Sequence, residues 1–280
     1  MLPNFRYSER IPAFLAPAVP SGIRFLPLTQ KISTPPTRLR ILRVMNLATQ
    51  PAELIVALDV PTLSDARKAL QSLPATVKFV KVGLELFISA GPPVLELVRE
   101  FRKLCFLDLK LHDIPRTVAH AVRAATQHHA FMLTVHAHGG EAMLKAAAEA
   151  AAACGAARPR VVAVTTLTSL DQHDLTQIGV SRPLAEHTLA LGKLAIACGL
   201  DGLVCSPLEL TMLRRELGPA PILVTPGIRP LGGELQDQKR IATPSVAIRS
   251  GANYLVVGRP ILDAPNPTSA AEAILREMQI

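Results

Sequence analysis

From residue 53 onward, short apolar runs rich in valine, isoleucine and leucine alternate with longer stretches in which apolar residues recur at helical spacing. Short apolar runs without polar alternation are typical of parallel strands that are buried on both faces. Eight runs predict strands, at residues 54–58, 77–82, 104–109, 131–135, 161–165, 202–204, 222–224 and 254–257. Helices are predicted between them, near 65–72, 93–102, 115–128, up to 153, 183–198, 208–216 and 244–250, and a final helix is predicted from Pro260 to the C-terminus.

The alternation of strands and helices predicts an α/β fold. Eight strand–helix units within about 230 residues match a (β/α)8 TIM barrel, whose usual length is about 250 residues. The alternative is a doubly wound open sheet, which needs a glycine-rich turn after its first strand to bind a dinucleotide. That turn reads Asp59-Val-Pro-Thr-Leu-Ser and contains no glycine. We therefore expect residues 51–280 to form one domain, a (β/α)8 barrel.

Residues 1–50 differ from the rest of the chain. They hold seven prolines, show no sustained hydrophobic period, and carry seven basic residues against one acidic residue. A disordered extension, or a start assigned upstream of Met45, is the favoured interpretation; an organelle transit peptide is a third, although prolines would interrupt its helix. This segment supplies +6 of the net charge of +8. Residues 51–280 keep only +2, so the sequence does not favour a nucleic-acid partner.

Hydropathy and cysteine usage bear on the compartment. No charge-free run of about 18 apolar residues is present, so we expect no membrane partner. The four cysteines, at positions 105, 154, 198 and 205, lack CxxC spacing and lie in apolar or alanine-rich surroundings. Cysteines of this kind are typical of reduced, buried thiols. The sequence therefore predicts a cytoplasmic protein.

Three charged residues mark the end of the third predicted strand, in the stretch Phe106-Leu-Asp-Leu-Lys-Leu-His-Asp-Ile-Pro115. Asp108 and Lys110 are two positions apart, so in a regular strand both side chains point to the same side. Asp113 follows the strand, and Pro115 suits the first turn of a helix. A surface salt bridge is the simpler interpretation of such a group taken alone. In a barrel, however, this end of the strands carries the chemistry.

Polar residues also follow other predicted strands. They are Asp59 after the first, Lys81 at the end of the second, Thr168 and Ser169 after the fifth, Arg229 after the seventh, and Gly258 and Arg259 after the eighth. Loops after the last two strands of a barrel commonly bind phosphate. Gly258 permits close approach of the backbone and Arg259 offers a bidentate guanidinium, so we expect a phosphorylated substrate.

The same region holds residue types that bind metal ions: Asp108, His112, Asp113, His136 and His138. The ammonium of Lys110 among them disfavours a divalent cation, and no HExxH-like spacing is present, so we expect no metal. His136 and His138 are interpreted as structural polar groups near the end of the fourth strand. The carboxylates on either side of Lys110 favour its ammonium form, which indicates a proton donor and not a Schiff-base nucleophile.

A set of motifs resembles orotidine 5'-phosphate decarboxylase. The motifs are Asp108-Leu-Lys-Leu-His-Asp-Ile-Pro, Ala57-Leu-Asp, Lys81-Val-Gly, Leu167-Thr-Ser, Pro226-Gly-Ile-Arg-Pro and Val257-Gly-Arg-Pro. They occur in order, and the match covers essentially all of residues 53–280. The DxKxxD motif alone is shared with related sugar-phosphate enzymes of the same superfamily, whereas the full set is specific.

The resemblance implies cofactor-free removal of CO2 from C6 of orotidine 5'-phosphate, giving uridine 5'-phosphate, by a homodimer. It implies that Lys110 protonates the carbanion at C6 and that Asp108 lies near the departing carboxylate. Lys81 and Asp113 would complete a charged tetrad, with Asp113 reaching into the neighbouring subunit's site. The remaining implied contacts are Asp59, Lys81 and Thr117 to ribose, Thr168 and Ser169 to the pyrimidine, and Gln238, Gly258 and Arg259 to phosphate, with Arg229 beside them.

One departure from the family pattern and two rival functions remain. Arg116 stands where the family often has asparagine after Ile-Pro, which bears on the expected subunit contact near Asp113. The first rival is a Mg2+-dependent enzyme of the same superfamily that acts on a sugar phosphate. The second is a nucleotide- or RNA-binding protein whose basic N-terminal segment does the binding.

Overall fold

Eight parallel strands form a closed barrel in the computed structural model, which describes residues 51–230 and 241–279. The strands are β1 (Glu53–Ala57), β2 (Phe79–Val82), β3 (Leu104–Leu111), β4 (Met132–His136), β5 (Arg160–Val164), β6 (Gly202–Val204), β7 (Ile222–Thr225) and β8 (Tyr254–Val257). Each strand pairs with the next along the chain, and β8 closes the sheet on β1. The predicted (β/α)8 fold is confirmed, and the open doubly wound sheet was the wrong alternative. The predicted extension at residues 1–50 lies outside the described residues.

Helices cover the outside of the barrel. Those in the described ranges are α1 (Leu63–Ser72), α2 (Leu84–Ala90), α3 (Pro93–Glu100), α4 (Pro115–Gln127), α5 (Gly140–Ala153), α6 (Gln172–Gln177), α7 (Leu184–Ala197), α8 (Leu210–Leu217), α9 (Pro244–Arg249), α10 (Arg259–Leu262) and α11 (Pro267–Glu277). Short 3-10 turns lie at Ala137–Gly139, Gly155–Ala157 and Pro207–Glu209. Within residues 51–230 and 241–279, every helix is too short or too polar to span a lipid bilayer.

Helix α2 and strand β3 are two of the elements that differ from the predicted pattern. Helix α2 was not predicted, because its sequence LELFISA is mostly apolar and shows no clear helical period; Leu84 and Ile88 on it are exposed. Strand β3 extends two residues beyond its predicted end and includes both Asp108 and Lys110. The third strand is therefore the longest of the barrel, and its extra length carries charged side chains.

The strands are buried on both faces, as the apolar runs predicted. One face packs against the helices, and the other fills the barrel interior with Ile55, Ala57, Phe79, Phe106, Met132, Val162, Ile222, Val224, Tyr254 and Val256. At the N-terminal end of the strands, the Arg160 guanidinium lies 4.8 Å from the ring centroid of Phe131 and donates a hydrogen bond to the Tyr254 hydroxyl. This end is therefore filled by side chains, and the carboxyl end is left for a binding site.

Gly202 allows β6 and β7 to pair closely. A Cβ atom at this position would lie 2.1 Å from the carbonyl oxygen of Ile222, so both strands would have to move. We predict that Gly202→Ala lowers the free energy of unfolding by roughly 2–3 kcal/mol, as overpacking of a buried site does. Urea unfolding followed by circular dichroism measures the change.

Gly192→Ala is the matched control for this prediction. At Gly192 the added Cβ would meet only the ends of leucine side chains, the nearest at 3.0 Å, and alanine favours the surrounding helix. We expect a change within about 1 kcal/mol for the control. Equal destabilisation by the two substitutions would contradict the close β6–β7 contact.

Candidate active site

Four charged side chains alternate in sign across the carboxyl ends of β1, β2 and β3. The Lys81 ammonium donates a hydrogen bond to Asp59 Oδ1 at 2.8 Å and lies 3.8 Å from Asp108 Oδ2. The Lys110 ammonium donates to the same Asp108 Oδ2 at 2.9 Å. Asp108 therefore stands between two ammonium groups, in a charged row that runs Asp59, Lys81, Asp108 and Lys110.

Burial increases toward the middle of the charged row. The side chains of Lys81 and Asp108 are each 12% exposed, whereas Lys110 is 30% and Asp59 is 56% exposed. A buried carboxylate loses hydration that only close cations and hydrogen-bond donors can replace, so removal of either lysine would leave the Asp108 charge poorly compensated. The charged row is thus stabilised by ion pairs between partly buried side chains, and not only by pairs on the surface.

Lys110 has a left-handed backbone conformation, with φ of 51°. The β3–β4 pairing changes register between Leu107 and Leu111, which marks a bulge. The expectation that Asp108 and Lys110 meet was right, but the regular strand alternation on which it rested is interrupted here. A left-handed conformation costs a residue with a side chain about 1–2 kcal/mol, and such strain is concentrated at functional sites.

Thr134 on β4 holds this bulge and was missed in the sequence. Its hydroxyl accepts a hydrogen bond from the Lys110 backbone N–H at 2.8 Å and donates one to Asp108 Oδ1 at 3.0 Å. Thr134 is fully buried. A single threonine in an apolar run gives no signal in sequence, because its importance depends on a neighbour 24 residues away.

A cavity of about 440 Å³ opens beside the charged row. Its walls are formed by Ala57, Asp59, Lys81, Phe106, Asp108, Lys110, Val164, Thr166, Leu167, Thr168, Val204, Pro226, Arg229, Val256, Gly258 and Arg259. One side thus carries the alternating charges, the floor is apolar, and two arginines lie toward β7 and β8. This combination suits a ligand with polar groups toward the charged row, a body that packs on the apolar floor and an anionic group toward the arginines.

Most of the site residues expected from sequence line this cavity. They are Asp59, Lys81, Asp108, Lys110, Thr168, Arg229, Gly258 and Arg259. Thr117, Ser169 and Asp113 do not line it, and Gln238 lies outside the described residues. Thr166 lines the cavity and was missed, because threonine near a strand end is common and carries no distinctive signal.

Asp113 is exposed and lies apart from the charged row. Its carboxylate accepts a hydrogen bond from the backbone N–H of Ile114 at 2.6 Å. None of the ion pairs in residues 51–230 and 241–279 includes it. Ile114 is 65% exposed, and residues 112–117 are all exposed. This stretch is an accessible ridge with a carboxylate and a large apolar side chain side by side.

Comparison with known proteins agrees with the fold. The sequence profile of the orotidine 5'-phosphate decarboxylase / HUMPS family matches residues 52–274. The chain belongs to this family. Orotidine 5'-phosphate decarboxylase of Moorella thermoacetica is 47% identical over 233 residues, which cover 81% of this chain and 92% of the relative. The enzyme of the same name from Gloeothece citriformis is 47% identical over 80% of this chain and 97% of the relative.

A solved structure supports the same assignment. The crystal structure of orotidine 5'-phosphate decarboxylase from Lactobacillus acidophilus superposes with a TM-score of 0.74 at 40% identity. It covers 82% of this chain and 100% of that chain. The prediction of a carbon–carbon lyase of the orotidine 5'-phosphate decarboxylase family is therefore confirmed.

Four histidines form a row beside the family motif. The ring centroids of His112 and His136 are 5.5 Å apart, those of His136 and His138 6.2 Å, and those of His138 and His187 5.1 Å. Burial lowers the pKa of His136 to about 4, with His112, His138 and Lys110 adding to the effect. Burial also lowers the pKa of His138 and of His187. His136 is thus uncharged at neutral pH and adds no positive charge beside Lys110.

The side chains that could bind a metal ion are spread over several places in the part of the chain that the structure describes. No group of three or more histidine, cysteine or acidic side chains is arranged there to hold a metal ion. The residue types considered for a metal in the sequence are therefore divided between the charged row, the histidine row and the exposed ridge.

Thr134→Val tests the link between β4 and the charged row. The substitution keeps the volume but leaves the Lys110 N–H and Asp108 Oδ1 without the hydroxyl that joins them. We predict that kcat for decarboxylation falls roughly tenfold to a hundredfold, because two hydrogen bonds, one of them to a charged group, are lost. Steady-state kinetics measures the change, with Thr134→Ser as the control that retains the hydroxyl. A valine variant with full activity would contradict this role.

Proposed function

We propose that this protein removes CO2 from C6 of orotidine 5'-phosphate and releases uridine 5'-phosphate, the last step of pyrimidine nucleotide synthesis, without a cofactor. The observation that carries the proposal is the charged row along one wall of a cavity with an apolar floor, with the Lys110 ammonium 2.9 Å from the buried Asp108 carboxylate. Relatives that match most of the chain bear the name of this enzyme. Family membership and the chemistry of the cavity thus support the same reaction.

Lys110 is the proposed proton donor. Breaking the carbon–carbon bond sends CO2 away and leaves the electron pair on C6, so the ring passes through a carbanion-like state. A cation already held in place stabilises that state more than it stabilises the substrate. Lys110 is held by its ion pair with Asp108 and by its left-handed backbone. Its proton passes to C6, and water restores the proton to the amine.

Asp108 is proposed to face the carboxylate that leaves as CO2. Its position between Lys81 and Lys110 keeps a negative charge at the place where the substrate's own negative charge disappears. Lys81 would join this region to the ribose side, since it also bonds to Asp59. Thr117 is proposed as a further ribose contact, and Thr168 with Ser169 as contacts of the pyrimidine.

The phosphate is proposed to bind near β7 and β8. Arg259 and Arg229 both line the cavity, and an arginine can hold a phosphate through two parallel hydrogen bonds. Gly258 precedes Arg259 and also lines the cavity. A Cβ atom added at Gly258 would lie 3.4 Å from the Cβ atom of Ala57, which is an ordinary contact distance. Gln238 is retained as a proposed phosphate contact. Binding energy from a phosphate distant from C6 can be used to orient the reacting ring.

The proposed activity is tested directly with the purified protein. The absorbance of orotidine 5'-phosphate is followed with and without EDTA, and a chain lacking residues 1–44 is assayed beside the full chain. We expect turnover that survives EDTA, requires the pyrimidine base and is unchanged by the truncation, because residues 51–280 are the proposed catalytic domain. EDTA-sensitive activity on a sugar phosphate without a base would instead support the Mg2+-dependent rival.

Lys110→Ala tests the proton donor. We predict that kcat falls at least about a thousandfold, because a positioned acid and a fixed cation are both lost. Circular dichroism and thermal unfolding should show that the variant is folded. Lys145→Ala is the matched control, since Lys145 forms an exposed ion pair with Glu141 and neither residue lines the cavity. Substantial decarboxylation by Lys110→Ala would rule out the proposed role.

A homodimer is also proposed, in which the partner subunit's Asp113 completes the charged row. Two observations support this arrangement: Asp113 is exposed and has no ion pair among the described residues, and Ile114 beside it is a large exposed apolar side chain. Arg116 on the same ridge adds a cation close to the proposed contact. A carboxylate contributed from another subunit explains why Asp113 lies outside the cavity of its own chain.

Mixing two inactive variants tests the shared site. Lys110→Ala and Asp113→Ala subunits are mixed, unfolded and refolded together. In a mixed dimer one site has an intact Lys110 and the partner subunit's intact Asp113, so we predict recovery of about a quarter of wild-type activity for a twofold-symmetric dimer with random pairing. Each variant refolded alone is the control. Absence of recovery, with mixed dimers verified by tagging, would contradict a shared site.

A cytoplasmic location is proposed from the cysteines. All four are free, and Cys105, Cys198 and Cys205 are buried. Burial raises the pKa of the Cys105 thiol to about 12, so this thiol stays uncharged and unreactive. Free thiols of this kind fit a reducing compartment.

A further inference from the structure

Glu209 is a buried acidic residue that belongs to neither the charged row nor the exposed ridge. It ends the 3-10 turn after β6 and is 4% exposed. One carboxylate oxygen, Oε2, accepts a hydrogen bond from the backbone N–H of Ser206 at 2.9 Å. The other oxygen, Oε1, lies 3.5 Å from the hydroxyl of Thr188. Burying a carboxylate costs free energy unless hydrogen-bond donors replace its lost hydration, so these contacts stabilise Glu209 in the native structure.

Thr188 connects Glu209 to the loop that follows β5. It lies on α7, is fully buried, and its hydroxyl oxygen is 2.8 Å from that of Thr166. A carboxylate accepts hydrogen bonds, so Thr188 is the donor in its 3.5 Å contact with Glu209. The Thr188 oxygen can then accept from the Thr166 hydroxyl, which gives a series of Thr166, Thr188 and Glu209. Three separate elements are joined by it, namely the β5 loop, α7 and the turn after β6.

The β5 loop is held from a second side as well. Thr165, next to Thr166, donates both its backbone N–H and its hydroxyl to the carbonyl of Val204 on β6, at 3.2 and 3.1 Å. Thr165 is thus hydrogen-bonded to β6, and the adjacent Thr166 is hydrogen-bonded to α7. Thr166 and Thr168 line the cavity, so the start of the loop is fixed where it forms the cavity wall.

We propose that Glu209 is a positioning residue that acts through Thr188 and Thr166 to hold the β5 loop in the conformation that binds the pyrimidine base. The inference rests on the proposed function, because it assumes that Thr168 and Ser169 contact the base. Glu209 and Thr188 do not line the cavity, so they act on the ligand only through the loop. Loss of the series should therefore weaken contacts with the base and spare contacts with the phosphate.

Thr188→Val removes the middle hydroxyl while keeping the shape of the side chain. Titration calorimetry compares the binding of uridine 5'-phosphate with that of ribose 5-phosphate, which has no base. We expect three- to tenfold weaker binding of uridine 5'-phosphate, roughly the worth of one or two hydrogen bonds, and unchanged binding of ribose 5-phosphate. KM for orotidine 5'-phosphate should rise more than kcat falls, because contacts with the base are made before and during reaction.

Thr188→Ser and Glu209→Gln complete the experiment. The serine variant keeps the hydroxyl and should bind both ligands as the wild type does. Glutamine has one acceptor oxygen in place of two, so it should weaken binding of uridine 5'-phosphate in the same selective way. Unchanged binding in Thr188→Val and Glu209→Gln, equal weakening for both ligands, or failure of Thr188→Ser to restore affinity would overturn the inference. Wild-type protein that neither binds uridine 5'-phosphate nor consumes orotidine 5'-phosphate would overturn the proposed function itself.

Discussion

The contact of the Asp108 carboxylate with the ammonium groups of Lys81 and Lys110 is the interaction on which the site depends. Asp108 is buried, so its charge is tolerated only while these cations and the Thr134 hydroxyl surround it. The barrel supplies this environment because β2, β3 and β4 end at the same rim. Three neighbouring strands thus hold four side chains that no single strand could bring together.

The geometry of this contact is achieved at a local cost. Lys110 takes a left-handed backbone conformation at a bulge, and the Thr134 hydroxyl accepts its N–H there. A regular strand would pair Lys110 with β4 in the ordinary register and direct its ammonium differently. The rest of the barrel, with apolar layers on both faces of every strand, is stable enough to maintain such strain. A second buried group, Glu209 with Thr188 and Thr166, reaches the cavity through Thr166.

Much of this could be predicted from the sequence, because each strand is a short apolar run and each polar residue after it falls at one rim. Asp59, Lys81, Asp108 and Arg259 were identified in this way and line one cavity. Thr134, Thr166 and Glu209 were not, since their roles depend on partners far along the chain and their residue types are common near strand ends. The bulge at Lys110 also could not be predicted from the sequence, because lysine has no preference for positive φ. Helix α2 lacked a helical period and so gave no signal.

We propose that the Lys110 ammonium lies next to the C6 atom of a bound pyrimidine nucleotide. A crystal structure of the protein with uridine 5'-phosphate tests it most directly. We expect the Lys110 nitrogen within about 3.5 Å of C6, the range for reacting atoms, with the phosphate against Arg259. A nucleotide whose base lies away from Lys110, or whose phosphate occupies the charged row, would contradict it.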